Sequence, residues 1–275
     1  MNIAAGFRSL VVLAALVACS PVAWAQGGKT EVLWLGQAAF KITTPGGKVI
    51  VIDPFLTQNP KTPAQYKNLD ALGKVDLILV THGHGDHLGD APDLAKKHKA
   101  PIFAPAGLNQ SLLTLGVLPA ELVPRMNKGG IVMPLGPGIK ITMTRAEHSS
   151  ELVWKNPSTS KLETHVGGEP AGFIIELENG FKIYHMGDTG LFGDMRFIGE
   201  YYKPDLLLIP IGGHFVMDPK DAAVATRDYI KPKHAVPMHY GTFPPLKGTP
   251  KEYIAALGTT STKVHAINPG DKLEF

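Results

Sequence analysis

Three histidines and one aspartate fall within His82-Gly83-His84-Gly85-Asp86-His87. Neutral imidazole and carboxylate are ligands that Zn, Mn and Fe accept. The two glycines remove bulk where the backbone must bend sharply. The segment follows the apolar run Asp76-Leu77-Ile78-Leu79-Val80, so a strand that ends in this loop can aim all four side chains into one pocket. Three further donors also follow strand-like segments: His148 after 139–144, Asp188 after 181–187 and His239 after 234–238. Separate segments that deliver ligands to strand ends describe a site built by loops on a sheet core. Seven donors exceed the needs of one tetrahedral ion and suit two.

The elements that must position these residues are legible as Val/Ile/Leu-rich runs between Pro/Gly clusters. Strands are expected at 31–35, 39–43, 48–52, 75–80, 102–104 and 139–144, then at 171–177, 182–185, 206–211, 235–238 and 264–267. Thr44-Pro45-Gly46-Gly47 and Glu178-Asn179-Gly180 read as hairpin turns. Helices are expected at 92–98, 108–115, 222–230 and 253–257. Asp218-Pro219 supplies an N-cap with proline at the first helical position, and Thr249 with Glu252 has capping-box spacing. Lys96-Lys97-His98-Lys99 reads as a basic helix end. Alternating strands and helices support an α/β fold, with 26–275 as one domain.

The His82/His84/Asp86/His87 cluster with His148, Asp188 and His239 resembles the ligand set of the metallo-β-lactamase superfamily. Ile52-Asp53-Pro54-Phe55, Gly168-Glu169-Pro170-Ala171-Gly172-Phe173, Tyr184-His185-Met186-Gly187-Asp188-Thr189, Leu191-Phe192-Gly193-Asp194-Met195 and Pro237-Met238-His239-Tyr240-Gly241-Thr242-Phe243 narrow it to the metal-dependent hydrolase branch related to ascorbate-6-phosphate lactonase. The resemblance covers about residues 30–275. It implies an αββα sandwich, with two mixed β-sheets face to face and helices outside, and it allows a distant duplication of two β-rich halves.

It also implies that His82, His84 and His148 hold one divalent ion, that Asp86, His87 and His239 hold a second, and that Asp188 bridges both. Zinc suits the histidine-rich set; manganese or iron is admitted by the carboxylates. Two such ions can share a bridging hydroxide, with Asp86 orienting it. β-Lactam hydrolysis is disfavoured, because those enzymes usually lack the bridging aspartate and several carry a cysteine there. Asp53 is expected to hold the ligand loop, and His214 to touch substrate or protonate the leaving group. Related sequences often carry an acidic residue where Gly213 stands.

Other residues carry weaker expectations. His185 reads as packing, by strand alternation. Tyr240 and Thr242 flank His239 and could line the pocket. Arg145 and Lys247 could meet an anionic group. His98, His165, His234 and His265 read as non-ligands. The polar, turn-rich stretch 149–168 follows His148 at once and is expected to form an irregular lid.

The chain of 275 residues is 44% hydrophobic and 19% charged, with a formal charge of +3. That composition fits a folded globular protein and no nucleic-acid partner. Arg8, an apolar run at 10–18 and Ala23-Trp24-Ala25 read as a signal peptide spanning 1–25 and cleaved after Ala25. Export to the periplasm or beyond is expected. Leu16-Val17-Ala18-Cys19 offers an alternative, membrane anchoring through a lipidated Cys19. The expected function is an exported dinuclear metal hydrolase that cleaves a phosphodiester, lactone or related ester, from a small molecule or lipid headgroup. The alternative is a non-catalytic metal-binding exported protein. A two-iron redox enzyme would need an electron donor. Oligomeric state is not legible.

Overall fold

Alternation along the strands decides the layering. In β1 (Glu31–Gly36), Val32 and Trp34 face one way, and Leu33 and Leu35 the other. Both sets are buried, because the sheet is covered on both faces. A computed structural model describes Met1 and residues 28–275. The expected cleavage site and Cys19 lie outside the described residues.

The first sheet also contains β2 (Ala39–Thr43), β3 (Val49–Ile52), β4 (Leu77–Leu79), β5 (Ile102–Pro105) and β6 (Arg125–Met126). The second contains β7 (Ile131–Val132), β8 (Lys140–Arg145), β11 (Ala171–Glu176), β12 (Lys182–His185), β13 (Leu206–Pro210), β14 (His234–Met238) and β15 (Lys263–Val264). Between β8 and β11, a separate hairpin is formed by β9 (Glu151–Lys155) and β10 (Leu162–Val166). The last strand, β16 (Lys272–Glu274), returns to pair with β1.

The two sheets repeat one pairing pattern. In the order β16-β1-β2-β3-β4-β5-β6, three antiparallel pairings are followed by three parallel ones. In the order β7-β8-β11-β12-β13-β14-β15 the same succession holds. That is the form a duplicated half would take.

Phe40, Ile50 and Leu79 of one sheet pack with Met143, Phe173 and Leu208 of the other. The outer face of the first sheet is covered by α2 (Ala91–His98) and α3 (Ala106–Thr114) through Leu94, Leu108 and Leu112. The second sheet is covered by α4 (Met195–Tyr202), α5 (Pro219–Val224) and α6 (Pro250–Leu257). This is the αββα sandwich. Asp218 caps α5 by accepting from the backbone of Lys220 and Asp221, and Thr249 with Glu252 forms the capping box of α6. Beyond Val224, the expected helix continues with π-type bonding over Ala225–Ile230.

The stretch 149–168 departs from expectation. It is an ordered hairpin that leans on α3, with the Ser111 hydroxyl donating to the Val166 carbonyl at 2.6 Å. Leu152 packs into the core beneath it. Its outer face mixes Glu151, Lys155 and Thr164 with exposed Val153, Leu162 and Val166, and its inner face mixes Leu152 and Trp154 with Glu163 and His165, so neither face shows a clean apolar alternation in the sequence. Its base, at Ser149, reaches the cavity described below; its body packs sideways.

Strand direction sets the site. Asp53 follows β3, the His82–His87 loop follows β4, His148 follows β8, Asp188 follows β12, and His239 follows β14. Carboxyl ends of strands in open α/β sheets are where ligands bind.

Candidate metal centre

The seven donors converge. Ligand atoms of His82, His84 and His148 lie within 4.8 Å of one another, as do those of Asp86, His87 and His239. A third group joins His82 and His87 to Asp188. Asp188 Oδ2 lies 3.0 Å from His239 Nε2, 3.3 Å from His87 Nε2 and 3.6 Å from His148 Nε2. It therefore faces members of both triads.

The backbone is forced into place locally. The four-residue α1 (Gly85–Leu88) carries Asp86 and His87 on one turn, with Leu88 and Gly89 bonding back to His84 and Gly85. Gln37, Asp53 and His239 adopt left-handed conformations, with φ of 51°, 44° and 56°. Such conformations are uncommon for residues with a Cβ, and they persist only where surroundings demand them. All three meet at this cluster.

Hydrogen bonds select the ring nitrogen that each histidine presents. His87 Nδ1 donates to Asp53 Oδ2 at 2.8 Å, which turns Nε2 toward the cluster. Asp53 also accepts from the Thr81 amide at 2.8 Å and hydroxyl at 2.7 Å. Thr81 Oγ1 lies 3.0 Å from His82 Nδ1, which leaves Nε2 to face His84 Nδ1 at 2.9 Å. His84 Nε2 in turn lies 3.0 Å from Glu151 Oε2, at the base of the β9–β10 hairpin. Each contact fixes tautomer and ring direction.

Charge is concentrated here. Burial would lower His87, but Asp188, Asp86 and Asp53 hold it well above the usual imidazole range. Burial works the same way on His239, yet Asp188 raises it to about 9. Asp188 would rise on burial; His239 and His87 instead pull it well below the carboxylate range. His82 is pushed well down, by burial and then by His87.

Comparison with known proteins agrees with this geometry. A model described as a Beta-lactamase superfamily domain matches residues 48–240. A "UPF0173 metal-dependent hydrolase" of Polaromonas sp. is 64% identical over 271 residues, covering 96% of this chain and 99% of the relative. One from Rubrobacter xylanophilus is 46% identical, covering 90% and 97%. The chain belongs to the UPF0173 metal-dependent hydrolase family of the β-lactamase superfamily. Among solved structures, Igni18, a metallo hydrolase from the archaeon Ignicoccus hospitalis, superposes with a TM-score of 0.75 at 34% identity, covering 90% of this chain and 98% of that one.

The family's metal fits the residues present. His87 Nε2 and Asp188 Oδ1 are buried and make no hydrogen bond among the described residues. Buried polar atoms left unpartnered are costly. Here they point among further imidazoles and carboxylates, which is the donor set of a divalent ion.

Other expected residues divide. His185 is buried structure: its Nε2 donates to the Ala38 carbonyl at 2.8 Å, and its Nδ1 accepts from Gly187 at 3.2 Å, just ahead of Asp188. His214 is exposed and does not line the cavity over the donors. Positive φ at both Gly213 and His214 turns the chain so that Phe215 faces the cavity instead. Tyr240 packs on Trp34 with ring centroids 5.5 Å apart, and with Thr242 lines a neighbouring cleft. Arg145 is paired with Glu147 and Asp194 in a groove beyond His148. Lys247 is exposed and does not line the cavity. His98, His165, His234 and His265 join none of the donor groups found among the described residues.

Sequence reasoning missed Gln37 and Glu151. Gln37 Nε2 lies 2.9 Å from Asp86 Oδ2 and 2.8 Å from His239 Nε2, and its carbonyl accepts from the His239 amide at 3.1 Å. The tight Gly36-Gln37 turn between β1 and β2 was its only local signal. Glu151 had none, because its partner His84 is remote in sequence.

Proposed function

We propose that this protein is an exported dinuclear metal-dependent hydrolase of a phosphodiester, lactone or related ester bond. The observation that carries the reading is Asp188, whose carboxylate faces both donor triads. His82, His84 and His148 would hold one ion, and Asp86, His87 and His239 the other. Zinc suits five imidazoles best, with manganese or iron admitted by the two carboxylates. When bound, such ions lower the pKa of water toward about 7 and polarise a carbonyl or phosphoryl oxygen.

The protein's own residues supply orientation. Asp53, Thr81 and Glu151 fix the rings of His87, His82 and His84. Gln37 donates to one oxygen of Asp86, which fixes the carboxylate plane and leaves the other oxygen to accept a hydrogen bond from, and so orient, the attacking water. Asp86 lines the cavity, so water can reach it. His214, turned to solvent, receives no role in proton transfer.

Export rests on Arg8, the apolar run and Ala23-Trp24-Ala25, with a lipidated Cys19 as the alternative anchor. Among the described residues, no helix is long and apolar enough to cross a membrane.

The test is metal content and turnover of purified mature protein, with Asp188→Asn alongside. Two bound ions per chain, and turnover of a phosphodiester or ester that the variant loses, are expected. Full metal loading with no turnover of either class would favour the binding-protein reading.

A further inference from the structure

Five of the donors, His84, Asp86, His148, Asp188 and His239, form the floor of a cavity of about 630 Å³. Its wall is different in kind: Phe55, Phe215, Phe243 and Leu246. Floor and wall belong to one cavity, so a reacting group on the donors places its neighbouring substituent against these side chains.

The wall is built rather than incidental. Phe55 is 9% exposed, with its ring centroid 6.3 Å from that of Phe243. Its loop is pinned by Asp90, which accepts from the amides of Leu56 at 2.8 Å and Thr57 at 2.9 Å. Leu246 is 2% exposed, and the loop bearing it closes on itself through Gly241 N to Leu246 O at 2.9 Å and Leu246 N to Phe243 O at 3.0 Å. Phe215 stands at the mouth, 53% exposed.

Among the described residues, no lysine or arginine lines this cavity. Arg145 is neutralised by Glu147 and Asp194, and Lys247 is not among the lining residues. A charged substituent lying along the wall would lose its water and gain no counter-charge, which is unfavourable. An apolar substituent gains there by burial.

Resting on the hydrolase reading above, we propose that the substrate is a neutral carboxylic ester or lactone with an apolar arm, received by Phe55, Phe215, Phe243 and Leu246. In the reaction, the oxygen of water bonds to the acyl carbon and the C–O bond to the alcohol oxygen breaks. One water proton goes to that alcohol; the other is lost as the acid ionises.

The test has two parts on the metal-loaded protein. The first is calorimetric binding of γ-lactams that resist hydrolysis, with butanoyl, octanoyl and dodecanoyl arms. Affinity should rise about two- to fourfold per methylene until the cavity is filled. Phe243→Ala and the half-exposed Phe215→Ala, which disturbs little of the core, should each flatten that rise. The second is turnover of para-nitrophenyl octanoate, para-nitrophenyl acetate and bis(para-nitrophenyl) phosphate. The octanoate should have the highest kcat/KM, mainly through KM. Affinity independent of arm length, an unchanged rise in both variants, or preference for the phosphodiester overturns the proposal while leaving a hydrolase. Arm-dependent binding without turnover of any probe supports the apolar subsite and overturns the hydrolase reading instead.

Discussion

Asp53 Oδ2 lies 2.8 Å from His87 Nδ1, and both side chains are fully buried. This contact joins the end of β3 to the turn after β4. It determines that His87 meets the cluster through Nε2, and the left-handed backbone at Asp53 is what brings the carboxylate there. Asp53→Ala should therefore weaken metal binding by about 10- to 100-fold. Chelator competition measures it, and unchanged affinity would show that Asp53 does not orient the ligand.

Glu151 does the same for His84 from the opposite side. The carboxylate is half exposed, so the effect should be smaller. Glu151→Gln keeps the shape and removes the charge. A few-fold loss of metal affinity and an altered visible spectrum of the cobalt-substituted protein are expected. An identical spectrum would mean that the hairpin base does not reach the ligand field.

Metal and protons compete at this site. His239 is raised to about 9, so in the metal-free protein it is protonated at neutral pH. Its folded-state value lies above its unfolded one. Its contribution to metal-free stability is thus full below about pH 6.5 and is lost as pH rises through about 9. Metal binding displaces this proton, so apparent affinity should rise toward about pH 9, up to tenfold per pH unit for each proton released. Thermal melts across pH, with chelator and with metal, should diverge as pH rises. Parallel curves would contradict the assignment. At neutral pH and metal at about 100 times Kd, loading should add about 2.7 kcal/mol.

Gly187 immediately precedes Asp188, with φ of 63°. A Cβ there would approach the Ala171 carbonyl to 2.7 Å and Thr81 Cβ to 2.9 Å. Gly187→Ala should destabilise the fold by about 2 kcal/mol or more and displace the carboxylate. Denaturant melts and metal stoichiometry would show both effects. A variant with normal stability and full loading would mean that the turn has room to relax.

The sequence by itself determined the donor residues, most strands, both helix caps and the family. Each is local: a ligand cluster within six residues, or an apolar run bounded by turn residues. Three short strands were illegible for the same reason. β6 and β7 have two residues each, too few to show alternation. β16 is defined by its pairing with β1, about 240 residues away. Only the tertiary structure decided what surrounds the donors. His214 and Phe215 are adjacent in sequence, and a positive-φ turn decides that the phenyl ring, not the imidazole, lines the cavity. Glu151 meets His84, Gln37 meets Asp86, and Phe55 meets Phe243 across long stretches of chain. Such partners are selected by strand order and loop closure, which local residue patterns do not encode.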